Sequence, residues 1–351
     1  MNALQNLTHA YQQSPWLDNL SRDLITSGNL DHYVKQGIRG LTSNPTIFEN
    51  AITHGNLYDD QIAQLSKDGL NEEEIYWRIA IQDIRAAAKI LEPVYDASNG
   101  QDGFVSLEVS PRLAHDTAGT IAQARTLWQQ LGLKNLMIKV PATDAGIPAI
   151  QTLLSEGINV NVTLIFSLDH YKQVVKSHTS THIQGNKAVS VASFFISRVD
   201  NEIDNQLNQI GTPEALALRG KAAIAQAHLA YEIFLKNFTS TDEDTNVQRL
   251  LWASTSTKNP DYDDLLYVRS LVASHTINTL PEDTIAKIID HLERDIKPIS
   301  KETIANAQRT FKAINDVGVD LDDVARTLER EGVEKFQKSF DSLLAAIKKQ
   351  F

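Results

Sequence analysis

The chain has 351 residues, 42% of them hydrophobic and 22% charged; this globular composition excludes a mainly disordered chain and allows a substantial buried core. With 33 basic and 44 acidic residues the formal net charge is −11, which opposes nonspecific binding to nucleic acid or to an anionic membrane without forbidding a local basic pocket. Cysteine is absent, so disulfides, thiolate nucleophiles, zinc fingers and iron–sulfur ligation are excluded.

Residues 1–15 are polar and lack an apolar signal core, and no run approaches the roughly 20 apolar residues of a spanning helix. A cytoplasmic protein with no membrane or nucleic-acid partner is therefore expected. Strand-like stretches follow at 16–19, 40–44, 104–109, 136–141, 158–166, 188–195, 250–255 and 277–280. Helical spacing fills most of the intervals, at 112–131, 146–155, 168–181 and 262–272. Eight strands alternating with helices predict a parallel sheet closed into a (β/α)8 TIM barrel, in the α/β class. The alternative, an open doubly wound sheet, lacks a G-x-G-x-x-G after its first strand.

Three stretches exceed this plan. A long helix over 71–91 begins at Asn71, with Glu72, Glu73 and Glu74 in its first turn, where they suit the helix dipole. Residues 199–237 are largely helical, and the acidic segment 241–246 reads as a solvated loop. The tail over about 300–351 is helical without a strand. The expectation is one barrel domain spanning 1–351 with a C-terminal helical extension.

Strand side chains alternate between faces, one meeting the outer helices and the other the barrel axis. In 104–109 the apolar set Val105, Leu107 and Val109 faces the helices, which turns Ser106 and Glu108 inward. In 136–140 the same rule sends Lys139 inward. In 158–164 it sends Ile158, Val160, Val162 and Leu164 outward, and Asn159, Asn161 and Thr163 inward. Trp16 and Asp18 share a face, as do Thr42 and Asn44. Taken singly, each inward polar residue fits a satisfied layer with an ion pair such as Lys139–Glu108. Together, at the C-terminal ends of strands, two carboxylates, an amine and two amides cost more desolvation than a structural core repays. That end is where barrel active sites lie.

A lysine among apolar strands loses hydration, which favours the neutral amine, and a neutral amine adds to a carbonyl to form a Schiff base. The iminium draws electrons from a neighbouring C–C bond, so the cycle needs proton carriers. Asp18 and Glu108 supply them, and Asn44 and Asn161 are placed to hold hydroxyls of a polyol.

These residues lie in segments that resemble the transaldolases of the pentose phosphate pathway. The matching pieces are Trp16-Leu-Asp-Asn-Leu-Ser-Arg22, Leu41-Thr-Ser-Asn-Pro-Thr-Ile-Phe48, Val105-Ser-Leu-Glu-Val109, Met137-Ile-Lys-Val-Pro-Ala142, Ile158-Asn-Val-Asn-Val-Thr-Leu-Ile-Phe166 and Ser193-Phe-Phe-Ile-Ser-Arg198. They occur in the family's order over most of the chain. The resemblance implies a transferase of dihydroxyacetone units between sugar phosphates, with no cofactor and no metal. It makes Lys139 the Schiff-base lysine and Asp18 the acid/base at the C4 hydroxyl. Glu108 moves protons through a water that Thr163 helps to place. Asn44 and Asn161 bind the dihydroxyacetone portion, and Ser193 and Arg198 grip the phosphate. Many members have Ser-Pro-Phe where this chain has Ser193-Phe194-Phe195, and 253–260 lacks the arginine that some place there. A longer bacterial branch has a lysine instead, which makes Lys258 a further phosphate candidate.

Two related readings stay open: an aldolase-type lyase using the same lysine, and a noncatalytic sugar-phosphate-binding barrel. The histidines at 115, 170, 178 and 182 are a weaker signal. His178 and His182 have i, i+4 spacing, but Thr179-Ser180-Thr181 lie between them and no H-E-x-x-H pattern forms. The last helix, 333–347, is amphipathic through Phe336, Phe340, Leu343 and Leu344. The resemblance lays it across the barrel mouth with Phe351 near the site. Self-association, as monomer or homodimer, is left open.

Overall fold

The computed structural model describes residues 1–181, 188–238 and 247–351. Its strands are β1 (Gln13–Leu17), β2 (Leu41–Thr42), β3 (Val105–Glu108), β4 (Leu136–Pro141), β5 (Val160–Ile165), β6 (Ser190–Phe195), β7 (Arg249–Ala253) and β8 (Thr276–Leu280). Each pairs in parallel with the next, and β8 pairs with β1. The sheet therefore closes into the expected (β/α)8 barrel. All eight strands overlap their predicted stretches; β4 alone keeps its predicted limits, and β1 departs from them most. β1 starts earlier than the apolar pattern, at Gln13, whose side chain donates to Leu271 O at 2.7 Å and to Thr276 Oγ1 at 2.9 Å. β2 has two residues, because Asn44 caps a helix instead of extending the strand.

The floor of the barrel, at the N-terminal ends of the strands, is packed and polar at once. Trp16 is fully buried there, and a Cβ at Gly40 would lie 2.4 Å from its indole ring. Only glycine at position 40 leaves the ring its place. The indole Nε1 donates to Asp102 Oδ1 at 3.2 Å, and Ser14 Oγ donates to Asp102 Oδ2 at 2.7 Å. Arg39 Nε at 2.8 Å and Arg249 Nη1 at 3.2 Å complete the shell of that carboxylate.

The long helix Glu72–Ala97 begins as its sequence predicts. The Asn71 side chain accepts from the N–H groups of Glu73 and Glu74, and Glu74 accepts from the Asn71 N–H in return. The stretch 199–237 contains the helices Ser197–Ile210, Pro213–Leu216 and Ala222–Phe238. The tail forms two helices, Lys301–Asp316 and Leu321–Lys348. The acidic segment 241–246 and His182 lie outside the described residues.

The last helix crosses the mouth. Phe340 meets Tyr76 edge to face at 5.2 Å, and Thr46 Oγ1 is 2.9 Å from Ser339 Oγ. Arg112 bridges Glu73 at 3.1 Å and Asp341 at 2.6 Å. Close approach is permitted at Gly332, where a Cβ would lie 3.1 Å from Leu164 Cδ2. Leu164 itself corrects the parity reading. The β5–β6 register slips between Val162 and Ile165, and Leu164 takes a left-handed φ of 60°. This bulge turns Leu164 from the outer helices toward the last helix.

Candidate active site

Strand register brings the central groups to one level. Glu108 pairs with Lys139 across β3–β4, and Lys139 pairs with Asn161 across β4–β5. All three share one parity, so their side chains meet at the axis although Asn161 lies early in its strand. Glu108 and Lys139 are each 5% exposed. Lys139 Nζ stands 3.6 Å from Glu108 Oε2, an ion-pair distance, and donates to the Ser43 carbonyl at 3.2 Å. The Phe336 ring of the last helix caps the amine, its centroid 5.9 Å from Nζ.

Burial pushes the Glu108 carboxyl up to about 7, Lys139 opposes that rise, and the charge of Asp18 adds to it. Desolvation wins because both partners sit in low-dielectric surroundings. Among the described residues Glu108 Oε2 and Thr163 Oγ1 are buried without a hydrogen-bond partner.

A cavity of about 240 Å³ opens above this layer. Of the residues picked from the sequence, it is lined by Asp18, Asn44, Lys139, Thr163, Ser193, Arg198 and Lys258, with Glu108 and Asn161 behind the wall. Asp18 follows the end of β1, where its N–H donates to Leu280 O at 2.8 Å and its carboxylate accepts from Thr42 Oγ1 at 2.8 Å. Thr42 is in turn 2.7 Å from Thr279 Oγ1. Asn44 caps the helix Pro45–Thr53, accepting from the Ile47 N–H at 3.0 Å.

The surroundings of Ser193 and the position of Phe351 are specific. Ser193 Oγ donates to Asn161 Oδ1 at 2.7 Å, and Asn161 Nδ2 donates to Ser106 Oγ at 3.0 Å. That hydroxyl is bonded deep in the barrel, at the amide end of the cavity it lines. Phe351 is 55% exposed and does not line the cavity; Phe336 holds the aromatic position instead.

Past β7 the chain turns at Ser254, whose φ is 59° and whose Oγ is 2.9 Å from Ser197 Oγ. Ser254 and Ser256 then line the cavity beside Lys258, and Lys335 of the last helix lines it too. Arg198 lies 5.3 Å from the Phe195 ring centroid. Burial disfavours its charge, while Asp18 and Glu331 favour it. Thr42, Ser256, Lys335 and Phe336 were not picked from the sequence. Thr42 shares the inward parity of Asn44, and Ser256 stands two residues before Lys258, so both carried a readable signal. Lys335 and Phe336 reach the site only through the crossing of the last helix.

His170 Nδ1 lies 3.5 Å from Glu329, and the ring of His178 packs on Phe238 at 5.7 Å. Among the described residues no group of three or more His, Asp and Glu is arranged to hold a metal ion, and no helix is long and apolar enough to cross a membrane.

Fold and site define a parallel (β/α)8 barrel whose mouth presents a buried lysine–carboxylate pair beside a basic corner. The chain belongs to the transaldolase/fructose-6-phosphate aldolase family, whose model matches residues 15–347. It is 47% identical over 352 residues to a transaldolase of Mycobacterium leprae, covering 96% of this chain and 94% of that protein. The transaldolase of Mycobacterium tuberculosis is 45% identical over 346 residues, covering 94% of this chain and 92% of its own. That of Mycolicibacterium smegmatis is 46% identical over 351 residues, with 96% and 94% covered. A solved fructose-bisphosphate aldolase of Campylobacter jejuni aligns over 97% of this chain and 92% of its own at 8% identity, and its TM-score of 0.39 is too low to carry an argument.

Proposed function

We propose that this protein is a transaldolase, moving a dihydroxyacetone unit from a ketose phosphate such as fructose 6-phosphate or sedoheptulose 7-phosphate to erythrose 4-phosphate or glyceraldehyde 3-phosphate. The reading rests above all on Lys139, an amine buried at the barrel axis, 3.6 Å from a carboxyl that burial holds near neutrality and open to a cavity. A proton carrier that titrates near working pH suits both imine formation and hydrolysis.

In this cycle the Lys139 amine adds to the C2 ketone of the donor, and water leaves to give an iminium. Glu108 carries the protons through a water bonded to its Oε2 and to Thr163 Oγ1, two buried atoms without a hydrogen-bond partner among the described residues. Asp18 takes the proton of the C4 hydroxyl, the C3–C4 bond breaks, and the electron pair passes onto the iminium as an enamine. The aldose phosphate departs. The enamine carbon then attacks the acceptor aldehyde, Asp18 returns its proton to the new alkoxide, and hydrolysis frees the product. Ser193 faces the hydroxyls of the three-carbon unit, and Asn161 behind it holds the Ser193 hydroxyl in place. The Asn44 cap uses Oδ1 alone, which leaves its amide donors for the same unit. Arg198 offers a fork to the phosphate, with Lys258 as a point charge beside it. Phosphorylated sugars are charged and retained by membranes, which fits a cytoplasmic site of action.

The test is to assay fructose 6-phosphate with and without erythrose 4-phosphate. Sedoheptulose 7-phosphate and glyceraldehyde 3-phosphate should form only with the acceptor. Release of free dihydroxyacetone at the same rate without acceptor would make the protein a lyase instead.

A further inference from the structure

Three cations meet at one side of the cavity from three elements: Arg198 in the helix Ser197–Ile210, Lys258 in the loop after β7, and Lys335 in the last helix. Lys335 is surrounded by positive charge: after burial, Arg198 and Lys258 are the groups that lower its basicity. None of the three side chains makes an ion pair or hydrogen bond among the described residues. In a chain with 44 acidic and 33 basic residues, cations elsewhere find carboxylates readily, as Arg112 and Lys134 each find two. An exposed lysine is ordinarily just solvated. A lysine beside two other unpaired cations carries a repulsion that a bound anion relieves.

Resting on the transaldolase reading, we infer that Lys335 is a specificity-determining residue: it binds the donor's phosphate with Arg198 and Lys258 and sets the preference for phosphorylated over unphosphorylated ketoses. Adjacent helix positions diverge by about 100°. Phe336 accordingly turns inward over Lys139, and Lys335 reaches the basic corner. The same stretch of helix covers the reacting amine and recognises the far end of the donor.

The experiment uses the full-length protein and its Lys335→Gln and Lys335→Arg variants. It measures kcat and KM with fructose 6-phosphate and with fructose, inhibition by inorganic phosphate, and borohydride trapping at Lys139. In Lys335→Gln, KM for fructose 6-phosphate and the inhibition constant for inorganic phosphate should both rise roughly tenfold, the loss of one charge-assisted contact. The ratio of kcat/KM for fructose 6-phosphate to that for fructose should fall by the same factor. Lys335→Arg should recover most of it, and added salt should shrink the gap. Inorganic phosphate should raise the melting temperature of the native protein more than that of Lys335→Gln. Equal losses on both ketoses, or an unchanged phosphate inhibition constant, would overturn the role of Lys335. If the native protein is trapped at Lys139 while Lys335→Gln matches it in every measurement, only this inference falls. If the native protein is not trapped at all, the transaldolase reading falls with it.

Discussion

The two ends of the barrel treat their charges in opposite ways. At the floor, Asp102 is satisfied four times over, by Ser14, Trp16, Arg39 and Arg249. At the mouth, Glu108 Oε2 and Thr163 Oγ1 have no hydrogen-bond partner and Arg198, Lys258 and Lys335 no carboxylate among the described residues. Buried charge at the floor is self-contained, and it ties strands β1 and β7 together through Asp102. The polar set at the mouth, partly buried and partly exposed, is incomplete, and a ligand carrying a carbonyl, hydroxyls and a phosphate would complete it. Polar content alone does not separate a structural plug from a site; the difference lies in whether the partners come from the protein.

Breaking the floor should have the largest effect on stability. Asp102→Ala leaves two arginines facing each other around a lost carboxylate, and should cost roughly 3–5 kcal/mol in denaturant unfolding. The variant that still folds at low temperature should keep the trapping reaction at Lys139. Loss of trapping without loss of stability would erase the distinction between the ends.

A smaller stability effect and a catalytic one are expected from Glu108→Gln. It should lower kcat by about 10²–10³-fold, within the range for a lost proton carrier, and remove the inflection of the pH–rate profile near 7. Stability gives the sign independently. The folded carboxyl is raised from 4.5 to about 7, so the native state binds more protons than the unfolded chain between those values, and ionisation there costs stability as pH rises. Relative to the native protein, Glu108→Gln should therefore gain stability progressively from pH 4.5 to 7 and be level below it. A gap that does not change with pH would place the Glu108 titration elsewhere.

The strands and the inward set were legible because alternation is a local property. Asp18, Glu108, Lys139, Asn161 and Thr163 follow from parity on four segments, and the barrel's stagger, which no single segment shows, then levels Glu108, Lys139 and Asn161. What escaped the sequence depended on interruptions or on tertiary packing. The bulge at Leu164 breaks the parity in mid-strand with an ordinary-looking leucine. The bond of Ser193 to Asn161, at 2.7 Å, joins two strands and is invisible in either alone. Lys335 is one more exposed lysine on an amphipathic helix, and Phe351 one more terminal aromatic, until the crossing point of that helix is fixed by Gly332 and Ser339. The crossing brings residue 336, not 351, over the amine.

The account turns on whether Lys139 bonds covalently to the donor. Incubating the protein with fructose 6-phosphate, reducing with borohydride and mapping peptides by mass should yield a reduced three-carbon adduct on Lys139, with parallel loss of activity. Lys139→Met should fold, give no adduct and lose on the order of 10⁴-fold or more in turnover. An unmodified Lys139 in the native protein under turnover, or sugar exchange continuing at its former rate in Lys139→Met, would contradict it.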